Sequence, residues 1–142
     1  MKFAMAKING GEKYPKIRGK VLFEEKCNRV LITVHICNLP QTDSGFFGFH
    51  IHEGEDCSQK NFENTKGHYN PTNTTHPGHA GDMPPLLKSK ERAYLSFETD
   101  RFKLRDIIGK TVVIHYLPDD FTTQPAGNAG DKIACGVINV LK

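Results

Sequence analysis

The sequence predicts an all-β protein, a sandwich or barrel of short strands. Three observations carry this. Segments with alternating apolar and polar residues recur along the chain, clusters of Gly, Pro and Asn separate them, and no amphipathic helical pattern runs longer than about two turns. Ile17, Val21 and Phe23 alternate with Lys16, Arg18, Lys20 and Glu24, as in a half-buried strand. Val30, Ile32, Val34 and Ile36 repeat the pattern, and Lys26-Cys27-Asn28 between the two segments suits a hairpin turn. Residues 45–52 follow, with Phe47, Phe49 and Ile51 on one face and Gly48, His50 and His52 on the other. Further strands are expected at 91–98, 111–117 and 132–141, the second stopped by Pro118, which has no N–H to give a ladder. Leu104–Ile108 has the length of one helical turn. Two stretches lack periodicity: a long polar one, 53–90, and a shorter one, 118–131. A structureless loop as long as the first is uncommon unless it has a task or is disordered.

The chain has 142 residues, which predicts one domain spanning 1–142. Hydrophobic residues make up 37% and charged residues 25%, enough apolar material for a core and too little charge for wholesale disorder. No apolar run approaches the ~18–20 residues of a membrane span. The start, MKFAMAKING, lacks the apolar stretch of a secretory signal. A cytoplasmic protein is therefore expected if the chain is complete, and a secreted or periplasmic one if it is a mature form. Net charge is +3, but unevenly spread: residues 1–30 carry eight Lys/Arg against three Glu, and residues 41–82 two Lys against six acids. With no Trp and no interleaving of basic and aromatic residues, nucleic acid is not an expected partner.

Seven histidines are the unusual feature, and six lie between positions 50 and 115. In His50-Ile51-His52, strand geometry puts both imidazoles on one face, either as solvent-facing polar residues or as a metal pair. His76-Pro-Gly-His79-Ala-Gly-Asp82 sets three ligand candidates among turn-forming residues, with His68 eight positions before His76. A metal held there would offset the entropy of ordering the long loop. His115 lies in an apolar strand and becomes a ligand only if its face meets that of His50 and His52; otherwise it is a core histidine. Asp119 is either a surface acid or the partner of the far nitrogens of metal-bound histidines. Cys57 and Cys135 are either reduced buried thiols or a disulfide tying the long loop down. Cys27 and Cys37 carry no functional pattern.

The segments GFHIHE (48–53), GHYNP (67–71), HPGHAGD (76–82), VVIHYLPDD (112–120) and GNAGDKIACGVI (127–138) resemble, in order and approximate spacing, the copper–zinc superoxide dismutase family, over most of the chain. The resemblance implies a Greek-key β-sandwich or flattened eight-stranded barrel, immunoglobulin-like, with a long metal-binding loop. It implies copper on His50, His52, His68 and His115, and zinc on His68, His76, His79 and Asp82. It further implies Asp119 as the carboxylate linking the two sites, Cys57–Cys135 as a disulfide, and a dismutase acting on the superoxide anion. Many relatives are dimers, so a homodimer stays open. Four imidazoles suit Cu(II), and three nitrogens with a carboxylate suit structural zinc.

The chain departs from the family's pattern in places. Lys132 stands where the family has the arginine beside copper, keeping the charge but losing the planar fork of donors. Asp131 beside it is expected to weaken the local field. The loop after His115 is shorter than in the familiar eukaryotic enzymes, and the spacing of 52–68 resembles bacterial members. The expected activity is disproportionation of superoxide, with Lys132 attracting the anion and His68 carrying a proton. The alternative is a copper-buffering protein on the same fold. A zinc hydrolase would need Glu53 as base, and its offset from His52 turns it to the opposite face.

Overall fold

A computed structural model describes residues 1–142. The strands are β1 (Phe3–Gly10), β2 (Arg18–Lys26), β3 (Arg29–Cys37), β4 (Phe46–Phe47), β5 (Phe49–His52), β6 (Leu86–Leu87), β7 (Ala93–Thr99), β8 (Thr111–His115) and β9 (Lys132–Leu141). One helical turn, α1 (Leu104–Ile107), and one 3-10 turn, Glu63–Thr65, complete the regular structure. Seven strands form one curled antiparallel sheet in the order β5-β8-β9-β1-β2-β3-β7, and β4 and β6 pair separately.

Alternation governs which residues go inside. Ala4, Ala6 and Ile8 of β1, Val21 and Phe23 of β2, and Val30, Ile32, Val34 and Ile36 of β3 are all buried and join Phe47, Phe49, Ile51 and Leu86 in one core. The β2–β3 hairpin turns at Cys27-Asn28, where Asn28 takes a positive φ of 65° that its short polar side chain tolerates. β1 lies outside the strands expected from the pattern. Its small Ala residues weaken the periodic signal, yet it holds the middle of the sheet by pairing with β2 and β9. The strand expected over 45–52 is broken at Gly48 into β4 and β5, and that expected over 111–117 stops at His115, where the ladder to β9 shifts register.

β8 is buried along its whole length. One face, Val112 and Ile114, points into the core, and the other carries Thr111, Val113 and His115 beneath the long loop. Cys57 and Cys135 form a disulfide with Cα atoms 5.8 Å apart, packed with Phe62 and Val113. It fastens the long loop to β9 and closes 78 residues of chain. In the chain-entropy picture such a closure stabilises by about 4 kcal/mol. The Cys57→Ser/Cys135→Ser double variant is expected to lose about that much in a denaturant melt, and an unchanged midpoint would show the loop to be held without the disulfide.

Candidate metal centre

The site is built on one strand pair and one loop. β5 and β8 pair antiparallel with His50 opposite Val113 and His52 opposite Thr111, and the His115 N–H donates to the Gly48 carbonyl at 2.8 Å. His50, His52 and His115 therefore share the face turned from the core, so the His115 face does meet that of His50 and His52. β5 is the sheet edge, and the long loop docks on it. Tyr69 N–H donates to Ile51 O at 2.8 Å, Ile51 N–H to Gly81 O at 2.8 Å, and Glu53 N–H to Gly67 O at 2.9 Å. These bonds satisfy the edge and bring His68 beside His52 and Asp82 beside His50.

Four donor atoms of His50, His52, His68 and His115 converge within 4.8 Å of one another, as do four from His68, His76, His79 and Asp82. His68 belongs to both sets. Hydrogen bonds outside each set choose the tautomers. Asp119, itself buried, accepts from His50 Nε2 at 2.8 Å and from His76 Nε2 at 2.7 Å. That leaves His50 Nδ1 and His76 Nδ1 unprotonated, and both are buried without a hydrogen-bond partner. His52 Nδ1–H donates to Lys66 O at 2.8 Å and His115 Nδ1–H to Gly130 O at 3.3 Å, so two bare Nε2 atoms face each other at 3.0 Å. Lone pairs that close repel unless a cation lies between them.

The second set fits zinc on the same reasoning. Two ligands about 2.0–2.1 Å from one tetrahedral zinc stand roughly 3.3 Å apart. Here His68 Nδ1 and His79 Nδ1 are 3.2 Å apart, and Asp82 lies 2.8 Å from His68 Nδ1, 3.1 Å from His76 Nδ1 and 3.2 Å from His79 Nδ1. Asp82 Oδ1 nonetheless lacks hydrogen-bond alignment with any donor, as expected of an oxygen aimed at a shared centre. The donors present thus suit copper in one set and zinc in the other. A third cluster, His50, His76 and Asp119, is joined by its own hydrogen bonds and acts as the link.

Burial dominates the titration of the imidazoles. It pushes His50 down to about 4 despite the Asp119 hydrogen bond, and His115 down to about 3. His52 falls well below the usual range and His79 falls too, for the same reason. Burial alone would raise the Asp119 carboxyl, but hydrogen bonds from His50, His76 and the Phe121 N–H outweigh it and hold it below the ordinary carboxylate range. Asp82 is also lowered, because contact with His68 and the charges of His76 and His79 overcome its burial.

Every residue singled out above as ligand or link lies in the centre. His35 stays outside it, exposed and edge-on to Tyr94 at 4.8 Å between ring centres. Asp131 pairs with Lys13 at 3.4 Å, and the acid whose charge reaches Lys132 is Glu63. Glu53 binds Lys110 at 2.9 Å, away from the histidines. Lys132, half-buried, donates from Nζ to Thr65 Oγ1 at 2.8 Å and to Lys66 O at 2.9 Å, and burial lowers its pKa. It lines a cavity of about 370 Å³ together with His52, His68 and His115.

Sequence reasoning missed the clamps. Gln124 holds the His76 backbone in both directions, accepting its N–H at 2.8 Å and donating to its carbonyl at 2.7 Å. Arg101 donates to the carbonyls of Pro77 and His79 at 2.8 and 3.0 Å. Gly127, at φ 73°, leaves the room Asp119 needs: a Cβ there would stand 2.6 Å from His76 Nε2 and collide with the Asp119 carboxylate. The paired glycines of the GNAG segment are the only signal for such a close approach.

An all-β sheet carrying two donor sets joined by one imidazole defines a two-metal protein of the β-sandwich class, with one nitrogen-only site and one closed site. Comparison with known proteins narrows this. Residues 17–138 match the family model described as copper/zinc superoxide dismutase, and the chain belongs to that family. It is 39% identical over 132 residues to a Cu-Zn superoxide dismutase of Legionella pneumophila, covering 87% of this chain and 79% of that one. It is 37% identical over 138 residues to Cu-Zn superoxide dismutase 2 of Aquifex aeolicus, covering 87% and 80%. It is 34% identical over 142 residues to that of Paramecium bursaria Chlorella virus 1, covering 89% and 74%.

The hydrogen bonds and the burial of the centre can each be tested. In Asp119→Asn, one of the two oxygens becomes an NH₂ that cannot accept, so His50 or His76 must move its proton to Nδ1 and lose its lone pair. Metal affinity is expected to fall about 10–100-fold in chelator competition, and an unchanged affinity would remove Asp119 from its linking role. Between pH 6.5 and about 4, the unfolded chain takes up protons at His50 that the folded chain refuses. Stability of the metal-free protein therefore falls as pH drops through that window, and Asp119 adds to the loss only below it. Thermal melts from pH 7 to 4 check this, and a flat profile would contradict the burial of these rings.

Proposed function

We infer that this chain is a superoxide dismutase using copper and zinc, and that residues 1–142 act as one domain. The observation that carries the reading is the shared His68 ring. It joins a nitrogen-only donor set, open to a cation-lined cavity, to a closed set on the loop. We assign copper to His50, His52, His68 and His115, and zinc to His68, His76, His79 and Asp82. Copper held there supplies one-electron chemistry, by which one superoxide is oxidised to oxygen and a second is reduced, with two protons, to hydrogen peroxide. Zinc in the closed set is structural, fixing His68 and the loop.

The protein's own groups do the rest. The Lys132 ammonium, held by Thr65 and Lys66, draws the superoxide anion into the cavity and orients it. Its point charge guides without the two-pronged grip of a guanidinium. His68 Nε2 has no partner in the protein and its ring reaches the cavity, so whenever copper does not occupy that nitrogen it can hold a proton and hand it to the forming peroxide. Asp119 keeps the His50 and His76 rings oriented meanwhile. A copper-buffering protein would need the same donors but neither the cavity nor its cation. The disulfide supports an oxidising setting, periplasmic or secreted. No helix is long and apolar enough to cross a membrane.

Protein loaded with copper and zinc is expected to speed superoxide decay in the presence of a chelator that silences free copper; no acceleration would overturn the reading. Lys132→Met is expected to cost about tenfold or more in rate. Lys132→Arg is expected to raise the low-salt rate and hold it to higher pH, because burial makes the lysine lose its charge below the usual lysine range. Identical pH profiles for the wild type and the Lys132→Arg variant would show that residue 132 does not guide the anion.

A further inference from the structure

We propose that Lys66 is a second anion-guiding residue of this cavity, sharing with Lys132 the capture of superoxide; this rests on the dismutase reading above. The first observation is its backbone. Lys66 sits at φ 61°, ψ −151°, a combination almost reserved for glycine. The conformation has an evident use. It aims the Lys66 carbonyl at two donors, His52 Nδ1–H at 2.8 Å and Lys132 Nζ at 2.9 Å, so a single carbonyl sets a ligand tautomer and places the Lys132 ammonium. A glycine would present that carbonyl with less strain, so the carbonyl does not account for the lysine side chain.

The surroundings of the side chain do. Lys66 is exposed, makes no ion pair, and lines the same cavity as His52, His115 and Lys132. No Asp or Glu lines that cavity. The facing wall belongs to the loop 118–131, whose charged residues are all acidic and all occupied elsewhere. Asp119 is taken by His50 and His76, Asp120 by Thr122 and Thr123, and Asp131 by Lys13. That loop supplies no cation, so Lys66 and Lys132 are the only lysine or arginine residues that line the cavity. The acid whose charge reaches Lys132 is Glu63, which stands outside the cavity lining, so two like charges on one small concave surface keep a field that attracts a small anion.

The test is Lys66→Gly, which keeps the carbonyl and suits the backbone. Its melting temperature is expected to rise. With copper and zinc loaded, kcat/KM at low ionic strength is expected to fall about three- to tenfold, with the gap to the wild type closing as salt is added. Azide, used as a small anionic probe and followed optically on the copper-loaded protein, is expected to bind more weakly. Lys66→Arg is expected to restore rate and azide binding. Wild-type rate, salt slope and azide affinity in Lys66→Gly would overturn the proposal, as would a loss equal at low and high salt. A wild type without dismutase activity would overturn the functional reading instead, while the azide titration would still report on Lys66.

Discussion

The centre depends on one buried carboxylate. Asp119 reaches from the loop after β8 to His50 on β5 and His76 on the long loop, accepting one hydrogen bond from each. Each bond fixes a tautomer, so the same anion prepares one nitrogen in either donor set. A neutral acceptor would orient the rings but leave them less basic. Asp119 tolerates burial because three donors surround it. Gly127 is part of that arrangement, since a side chain there would occupy the space of the carboxylate.

Around this link, backbone bonds replace regular structure. The long loop has little secondary structure of its own, yet it is held by the β5 edge, the disulfide, Arg101 and Gln124. Each tether attaches it to a different element: the sheet edge, β9, the connection after β7, and the loop after β8. An edge strand with bare N–H and C=O groups is a hazard to a soluble β protein, and here the loop that brings the ligands also covers that edge. Fold protection and site assembly are thus the same set of contacts.

This division explains what could be read from the chain. Strands with strong alternation, such as 30–36, and the ligand candidates in H-x-H and HPGHAGD were legible, because period and spacing are local properties. β1 was not, because Ala4 and Ala6 bury little and signal little. Gly48 was legible as a strand residue but not as a break, and the packing of Ala129 and His115 that leaves no room for a side chain there joins residues far apart in sequence. The pairing of Asp131 with Lys13, the clamps of Arg101 and Gln124, and the double use of the Lys66 carbonyl join residues far apart in sequence. Only the family resemblance, not the pattern, brought His115 to His50 in advance.

The two donor sets also differ in what they stand on. His50, His52 and His115 project from paired strands whose other faces lie in the core, so their backbones are fixed whether or not metal is bound. His68, His76, His79 and Asp82 all come from the loop, so the second set has no strand beneath it. The second set rests instead on the loop's tethers to the β5 edge, β9, Arg101 and Gln124, whereas the first rests on the sheet itself. The asymmetry meets at His68, the one member of the strand-borne set that belongs to the loop. In the proposed assignment the loop set would hold that ring in place for the strand-borne set, so the geometry of the copper site would rest on that of the zinc site.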